Sequence, residues 1–361
     1  MRRRRDVLLG GTVVVAAAGR LSAPAIAQGI KELKMATSWP AGPNGLQISA
    51  ERLARSITAL SDGRLKITVY PDGSLVHAFE VFDAVSAGVV DMCHSAESYV
   101  QSKAPALNFF DAVPYGLTAD ELSAWINYGG GQALWDEIDA QFNIKPLMAC
   151  NPGVQMGGWF TKEVSTLQDL EGLRYRMPEL GAEVLRRMGA IVVTVPGAEI
   201  VGAFKSGAID GSEWIGPWMD MDLGLHKVAD YYYYPGFHQP GENFMLGVNK
   251  SLWDGLTSTD RAVIEAAAQA EVTRSLSQFN AENVKALRQL RNDQRIKIVK
   301  FNDVLVKELG RVSKEVLADI ATKDTQIRKV YEGYMDFLAG VMDWGELSET
   351  GYRNMRRLAL S

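Results

Sequence analysis

Three polar groupings in the 361-residue chain have residue types and spacing suited to holding a carboxylate. Val154-Gln155-Met156-Gly157-Gly158-Trp159 sets an amide and an indole beside two glycines, where backbone can approach a ligand closely. Leu170 to Met177 (LEGLRYRM) reads as the entry to a strand, so Arg174 and Arg176 share one face and Tyr175 takes the other. An arginine at a strand end offers a planar fork matched to a carboxylate. Arg176 has that place, whereas Arg174 reads equally well as a surface ion pair. Glu213-Trp214 closes an apolar run. A carboxylate there repels an anionic ligand unless a cation lies between them, which predicts either a bound metal or a protonated Glu213.

Motifs for catalysis are missing. The chain has no H-E-x-x-H, no G-x-S-x-G, no Walker loop and no G-x-G-x-x-G after a strand. Its four histidines, His77, His94, His226 and His238, lack metal-ligand spacing and read as surface or core residues. No nucleophile–base pair can be assembled locally. These absences weigh against an enzyme without excluding one.

The elements that must position these groups alternate between strand and helix. Strands are expected at 32–39, 65–70, 89–94, 144–150, 157–160, 173–177, 191–195, 208–214 and 296–299, with extended segments at 231–234 and 244–249. Helices are expected at 46–60, 79–87, 119–142, 180–188 and 198–205, and most of the chain after Ser258 reads as helical. That alternation argues for open α/β sheets with helices on both faces. An internal echo supports a two-part fold: EVFDAVSAGVVD (80–91) and EIVGAFKSGAID (199–210) align Glu80 with Glu199, Ala84 with Ala203, Gly88 with Gly207 and Asp91 with Asp210. Each copy reads as a short helix, a glycine suited to the left-handed C′ position and a buried strand. Generic βαβ grammar is the alternative source of such an echo. If two similar units are present, the loops after their echoed strands, 94–99 and 212–216, face one ligand from opposite sides.

Composition is that of a globular protein, 47% hydrophobic and 22% charged, with a net charge of −5 that advertises no basic face for nucleic acid. The first 27 residues read as an export signal: Arg2 to Arg5, an uncharged stretch from Val7 to Gly19 too short to span a bilayer, and Ala25-Ile26-Ala27 as a cleavage site. Arg4-Arg5 makes it a twin-arginine type; an uncleaved N-terminal anchor is the other reading. Its removal takes five of 38 basic and one of 43 acidic residues, leaving a net −9. An acidic exported protein that handles an anion needs a local cationic site against its own field. The two cysteines, Cys93 and Cys150, admit one disulfide in an oxidising compartment but read better as buried thiols.

VQMGGWF (154–160), DLEGLRYRM (169–177), GAIDGSEWIGP (207–217) and YYYYPG (231–236), in this order, resemble the solute-binding proteins of tripartite ATP-independent periplasmic (TRAP) transporters. The resemblance covers essentially the whole mature chain and is closest to the metal-containing branch that binds 2-oxo acids such as pyruvate, or lactate-like 2-hydroxy acids. It implies a two-domain periplasmic binding protein of the Venus-flytrap kind, α/β with open sheets and long C-terminal helices. It casts Arg176 as the carboxylate clamp and Gln155, Glu213 and the Trp214 carbonyl as holders of a Na+ or Ca2+ ion. Tyr99 matches a ligand-facing aromatic, and Trp159, Trp214 and Tyr99 are expected to exclude water. Gln239 is a further candidate metal ligand; the family pattern has an acid there, and the amide leaves the choice between Na+ and Ca2+ open.

The implied organisation is a signal peptide (1–27), a first α/β domain (28–150 plus about 240–255), a second (151–239 plus about 256–300) and a helical segment (301–361). The implied partners are a small carboxylate and the transporter's membrane subunits, with no nucleic acid. The alternatives are a periplasmic metal-dependent enzyme acting on a 2-oxo or 2-hydroxy acid, and a sensor domain for a signalling partner. The C-terminal helices, 304–339 and 346–358, carry Val304, Leu309, Val312, Val316 and Ile320 at helical spacing. These either pack on the parent domains or form the seam of a homodimer.

Overall fold

The computed structural model describes residues 29–361, so the export signal expected over 1–27 lies outside the described residues. Strand β1 (Lys31–Thr37), helix α1 (Gly45–Leu60), β2 (Leu65–Tyr70), α2 (Val81–Ser86) and β3 (Met92–Ala96) open the chain. Then come α3 (Ala119–Tyr128), α4 (Gly131–Asp139), β4 (Ile144–Cys150), β5 (Gly158–Phe160), β6 (Arg174–Arg176), α5 (Glu179–Arg187), β7 (Ile191–Val193), α6 (Ile200–Lys205), β8 (Gly211–Ser212) and α7 (Pro217–Leu223). The remainder is β9 (Tyr231–Tyr234), β10 (Phe244–Asn249), α8 (Lys250–Asp254), α9 (Ser258–Asn292), β11 (Lys297–Lys300), α10 (Asp303–Ala321), α11 (Thr325–Gly345) and α12 (Gly351–Leu360).

Two sheets result. The first has the order β2-β1-β3-β10-β4, with β10 antiparallel between its neighbours. The second has the order β11-β9-β5-β8-β6-β7, mixed in the same manner. The chain therefore passes between sheets in the segments β4–β5 and β9–β10 and again through α9. Helix α1 shows why the first half holds: Asn44 caps it by accepting from Gln47 N (3.0 Å), and Leu46, Ala50, Leu53 and Ile57 form one buried stripe.

The echo is physical. Gly88 (φ 73°) and Gly207 (φ 70°) both take the left-handed conformation after their helices. Asp91 and Asp210 then tie each copy to the neighbouring strand in the same way. Asp91 Oδ2 accepts from Lys34 N at 2.7 Å while Asp91 N donates to Lys34 O at 3.1 Å. Asp210 Oδ2 accepts from Arg174 N at 3.1 Å while Asp210 N donates to Arg174 O at 2.7 Å. One local device thus builds the loop-bearing strand of both halves.

Several expected boundaries shift. The helix expected over 119–142 breaks at Gly129-Gly130, because Gly130 takes the left-handed conformation (φ 89°) that a right-handed helix cannot continue through. The strands expected at 89–94 and 208–214 shorten to 92–96 and 211–212, since Val89 is exposed and each glycine turn takes up the preceding residues. The segment from 256 is not confined to the second half. Helix α9 is 35 residues, about 50 Å at 1.5 Å per residue. Ile264, Ala267 and Ala268 lie in the first sheet's core, whereas Phe279 and Leu290 lie in the second's.

The helix expected over 304–339 is two, parted at Thr322–Asp324, where Asp324 Oδ1 caps Ile327 N at 2.7 Å. Leu309, Val312, Val316 and Ile320 are buried on the body of the protein, and only Val304 of that series is exposed. Cys93 and Cys150 are free, buried thiols. Strand β10 lies between their strands, so two strand spacings of about 4.8 Å each hold them beyond disulfide reach.

Candidate functional site

The strand-end loops of both halves meet at one small, partly open pocket. Trp39, Leu46, Tyr99 and Phe244 line it from the first sheet, and Arg176, Pro178, Glu213, Trp214 and Ile215 from the second. Gln239 and Glu242, in the β9–β10 connection, close it. Backbone bonds stitch these loops together. Gln155 N donates to Gln239 O (3.1 Å), Gly236 N to Gln155 O (2.9 Å) and Met156 N to Ile215 O (3.0 Å).

Arg176 ends β6 with 1% of its surface exposed, and Glu213 follows β8 with the same exposure. Arg176 Nε donates to Val195 O (3.0 Å), Nη1 donates directly to Glu213 Oε1, and the guanidinium carbon lies 5.6 Å from the centre of a Trp214 ring. The charge at Glu213 is thus met first by a protein cation. Burial pushes the Glu213 carboxyl up to about 7 and the guanidinium opposes that rise. His238 Nε2 lies 3.9 Å from Glu213 Oε2; burial, then Arg176, pushes its imidazole down to about 3, so it is neutral. Beneath the loop, Asp220 Oδ1 accepts from Ile215 N (3.0 Å), and Oδ2 accepts from Trp159 Nε1 (2.9 Å) and Tyr232 Oη (2.7 Å).

A second polar group sits beside the ion pair. Gln155 Nε2 donates to Glu242 Oε2, and Gln239 Nε2 donates to Glu242 Oε1 at 3.0 Å. The other face of Gln155, Oε1, is buried with no hydrogen-bond partner among the described residues. An orphaned amide oxygen beside carboxylates is an arrangement that suits a hard cation such as Na+ or Ca2+. No group of three or more His, Cys, Asp and Glu suited to a metal occurs among the described residues, so any ion here draws on amide and carbonyl oxygens as well.

Of the residues singled out in the sequence, Tyr99, Arg176, Glu213, Trp214 and Gln239 line one cavity, and Gln155 reaches it through Glu242. Trp159 does not line it. Its ring is fully buried, stacked on Tyr232 with centroids 4.1 Å apart, and its N–H is spent on Asp220. Nor do the two glycines serve close approach to a ligand. A β-carbon on Gly158 would collide with the Tyr175 hydroxyl, and one on Gly157 with Phe301. Arg174 is the surface ion pair of the two readings open to it, held on Asp210.

Glu242, His238, Asp220 and Trp39 were not singled out for the site. Glu242 alone had a usable signal, an acid three residues beyond Gln239 in the turn sequence QPGE.

A family model described as bacterial extracellular solute-binding protein, family 7 (DctP) matches residues 35–324. The monocarboxylate 2-oxoacid-binding periplasmic protein of Nostoc sp. is 36% identical over 359 residues, 98% of each chain. A TRAP transporter solute-binding protein from Bordetella bronchiseptica has a TM-score of 0.89 at 33% identity, covering 92% of this chain and 98% of its own. That crystal holds a mixed-occupancy dimer with copurified calcium and picolinate in one active site and an apo site. A TRAP periplasmic solute-binding protein from Pseudoalteromonas atlantica, with sodium and pyruvate bound, has a TM-score of 0.87 at 32% identity over 90% of this chain and 99% of its own.

Proposed function

The chain belongs to bacterial extracellular solute-binding protein family 7, and from that premise we propose that it receives a small 2-oxo or 2-hydroxy monocarboxylate and delivers it to TRAP membrane subunits. The family is one of receptors and not enzymes, and its members are periplasmic. Among the described residues no helix is long and apolar enough to cross a membrane. The observation that carries the reading is the buried Arg176–Glu213 pair on a cavity that also receives Trp214 and Gln239.

In the proposed mechanism the two sheet-bearing halves are the lobes that close on the ligand. Arg176, fixed through Nε by Val195 O, turns its guanidinium to the ligand carboxylate. That carboxylate competes with Glu213 for the guanidinium. A Na+ or Ca2+ ion, when bound, neutralises Glu213 and polarises the ligand's 2-oxygen. Gln155 Oε1, Glu213, the Trp214 carbonyl and Gln239 are the residues proposed to hold it. Tyr99, packed on Phe79 (4.8 Å between ring centres), and the Trp214 ring exclude water from the closed site.

The small solutes carried by the 2-oxoacid-binding and pyruvate-bound relatives support this ligand class. We also propose a homodimer through the C-terminal helices, supported by the exposed apolar residues Trp344, Leu347, Tyr352, Met355 and Leu358. Calorimetry with pyruvate and lactate, in chelator and with Ca2+ or Na+ restored, tests the reading. Saturable binding that needs the cation supports it, and undiminished pyruvate binding by Arg176→Ala overturns it.

A further inference from the structure

We propose that Glu242 is a positioning residue that holds Gln155 and Gln239 by their amide N–H groups, committing the Gln155 carbonyl oxygen to a hard cation. The inference rests on the cation reading above and assigns a role to a residue outside that ligand set. The argument begins with the two faces of an amide. The N–H2 and C=O ends of a glutamine are nearly isosteric, so a free side chain can present either to a ligand. A carboxylate has no such freedom, because an ionised one only accepts.

Glu242, 4% exposed, accepts from Gln155 on one oxygen and from Gln239 on the other. Rotating the Gln155 amide by half a turn would set its oxygen against a Glu242 oxygen, a repulsive contact in a site where both side chains are buried. Gln155 Nε2 is thereby fixed toward Glu242 and Oε1 away from it. That oxygen is the buried acceptor with no hydrogen-bond partner among the described residues. A donor or a cation must satisfy it when the site closes.

The test is Ca2+ titration of the chelator-stripped full chain, by calorimetry and thermal shift, without any carboxylate. Glu242→Gln keeps the size of the side chain but can donate, so Gln155 is free to turn. The expected result is a loss of about 10–100-fold in Ca2+ affinity, the usual cost of removing a group that orients a ligand, at an unchanged melting temperature in chelator. Because Glu242 acts through Gln155 and Gln239, the triple variant Glu242→Gln/Gln155→Ala/Gln239→Ala should bind Ca2+ no more weakly than Gln155→Ala/Gln239→Ala. Multiplying losses would make Glu242 an independent ligand and overturn the proposal, as would unchanged affinity in Glu242→Gln. A second measurement uses the wild-type chain. The Gln155 side-chain N–H2 should stay protected from solvent exchange with and without Ca2+, and fast exchange would overturn the proposal. If wild-type protein shows no response to Ca2+ or Na+, the cation reading itself fails; if it responds and the variants do not differ, only the role of Glu242 fails.

Discussion

Arg176 and Glu213 form an ion pair with 1% and 2% of their side-chain surfaces exposed, so whatever enters the cavity must compete with an interaction already made in low dielectric. Removing the arginine leaves a buried carboxylate without its cation. Arg176→Ala should therefore lose about 3–5 kcal/mol of stability together with carboxylate binding. Arg176→Lys keeps the charge but not the fork, and should recover stability far better than affinity. Denaturant unfolding and calorimetry on both variants separate these effects. A lysine variant that binds as tightly as wild type would show that point charge, and not planar geometry, holds the ligand.

Asp220 supports the site from below by accepting from Ile215 N, Trp159 Nε1 and Tyr232 Oη, with no exposed surface of its own. Asn at this position must turn an N–H2 toward at least one of those donors. The unmet group should cost about 1–3 kcal/mol. Because Ile215 follows Trp214, the same change should also weaken ligand binding, although Asp220 does not line the cavity. Denaturation midpoints and binding isotherms of Asp220→Asn check both parts. Lost stability with unaltered affinity would mean that the Ile215 bond does not transmit to Trp214.

What could be read in the chain and what could not follow from the range of the forces involved. The echo was legible because a positive-φ glycine and a strand-tying aspartate leave local traces, and both recur at 88/91 and 207/210. Arg176 and Glu213 were legible as strand-end charges. Trp159 was misplaced because an indole beside glycines suits a cavity wall and a core equally, and only Asp220 and Tyr232, 61 and 73 residues away, decide between them. Glu242 left a faint signal since its partners come from the turn beside it and from Gln155, 87 positions earlier. Helix α9 gave no boundary because one side stays buried along its length, through Glu271 and Ser275, while the core it faces changes.

A buried acid cluster behind Tyr99 sets a pH dependence. Burial pushes Asp111 from 3.8 up to about 7, against the opposing bond from Ser98 N at 2.8 Å. Burial also pushes Glu97 and Asp139 upward, and Asp139 raises Glu97 further; Trp135 Nε1, 2.7 Å from Glu97 Oε1, works the other way, and Asp136 and Lys145 face Asp139 with opposite effects. The folded protein thus keeps protons that the unfolded chain has released. The stability these groups contribute is fully present below their ordinary carboxyl range and is lost as pH rises through about 7 for Asp111 and about 8 for Asp139. Each such proton contributes a slope of about 1.4 kcal/mol per pH unit within that window. Buried His94, pushed down to about 3, has the opposite slope below pH 6.5, so variants must be compared at each pH. Asp139→Asn, which cannot titrate, should gain on wild type steadily as pH rises from about 5 to 8. Parallel stability curves for the two proteins would refute the assignment.

The last helix offers a prediction about assembly. Helix α12 buries no residue, and Trp344, Leu347, Tyr352, Met355 and Leu358 are 53–82% exposed around the π turn at 346–350. An apolar series of this extent on a water-facing helix favours a second surface. Helix α11, by contrast, is anchored: Tyr334 Oη accepts from Leu117 N at 2.7 Å, and Ile327 and Val330 are buried. A chain ending at Gly345 should therefore keep its fold, with a melting temperature within about 2–4 °C of the full chain's monomer, while losing self-association. Light scattering after size exclusion, over a range of concentrations, gives both masses. A full-length chain that stays monomeric throughout would remove the dimer. A truncated chain that still dimerises would move the seam to another face, and a large drop in melting temperature would show that α12 folds back onto its own subunit.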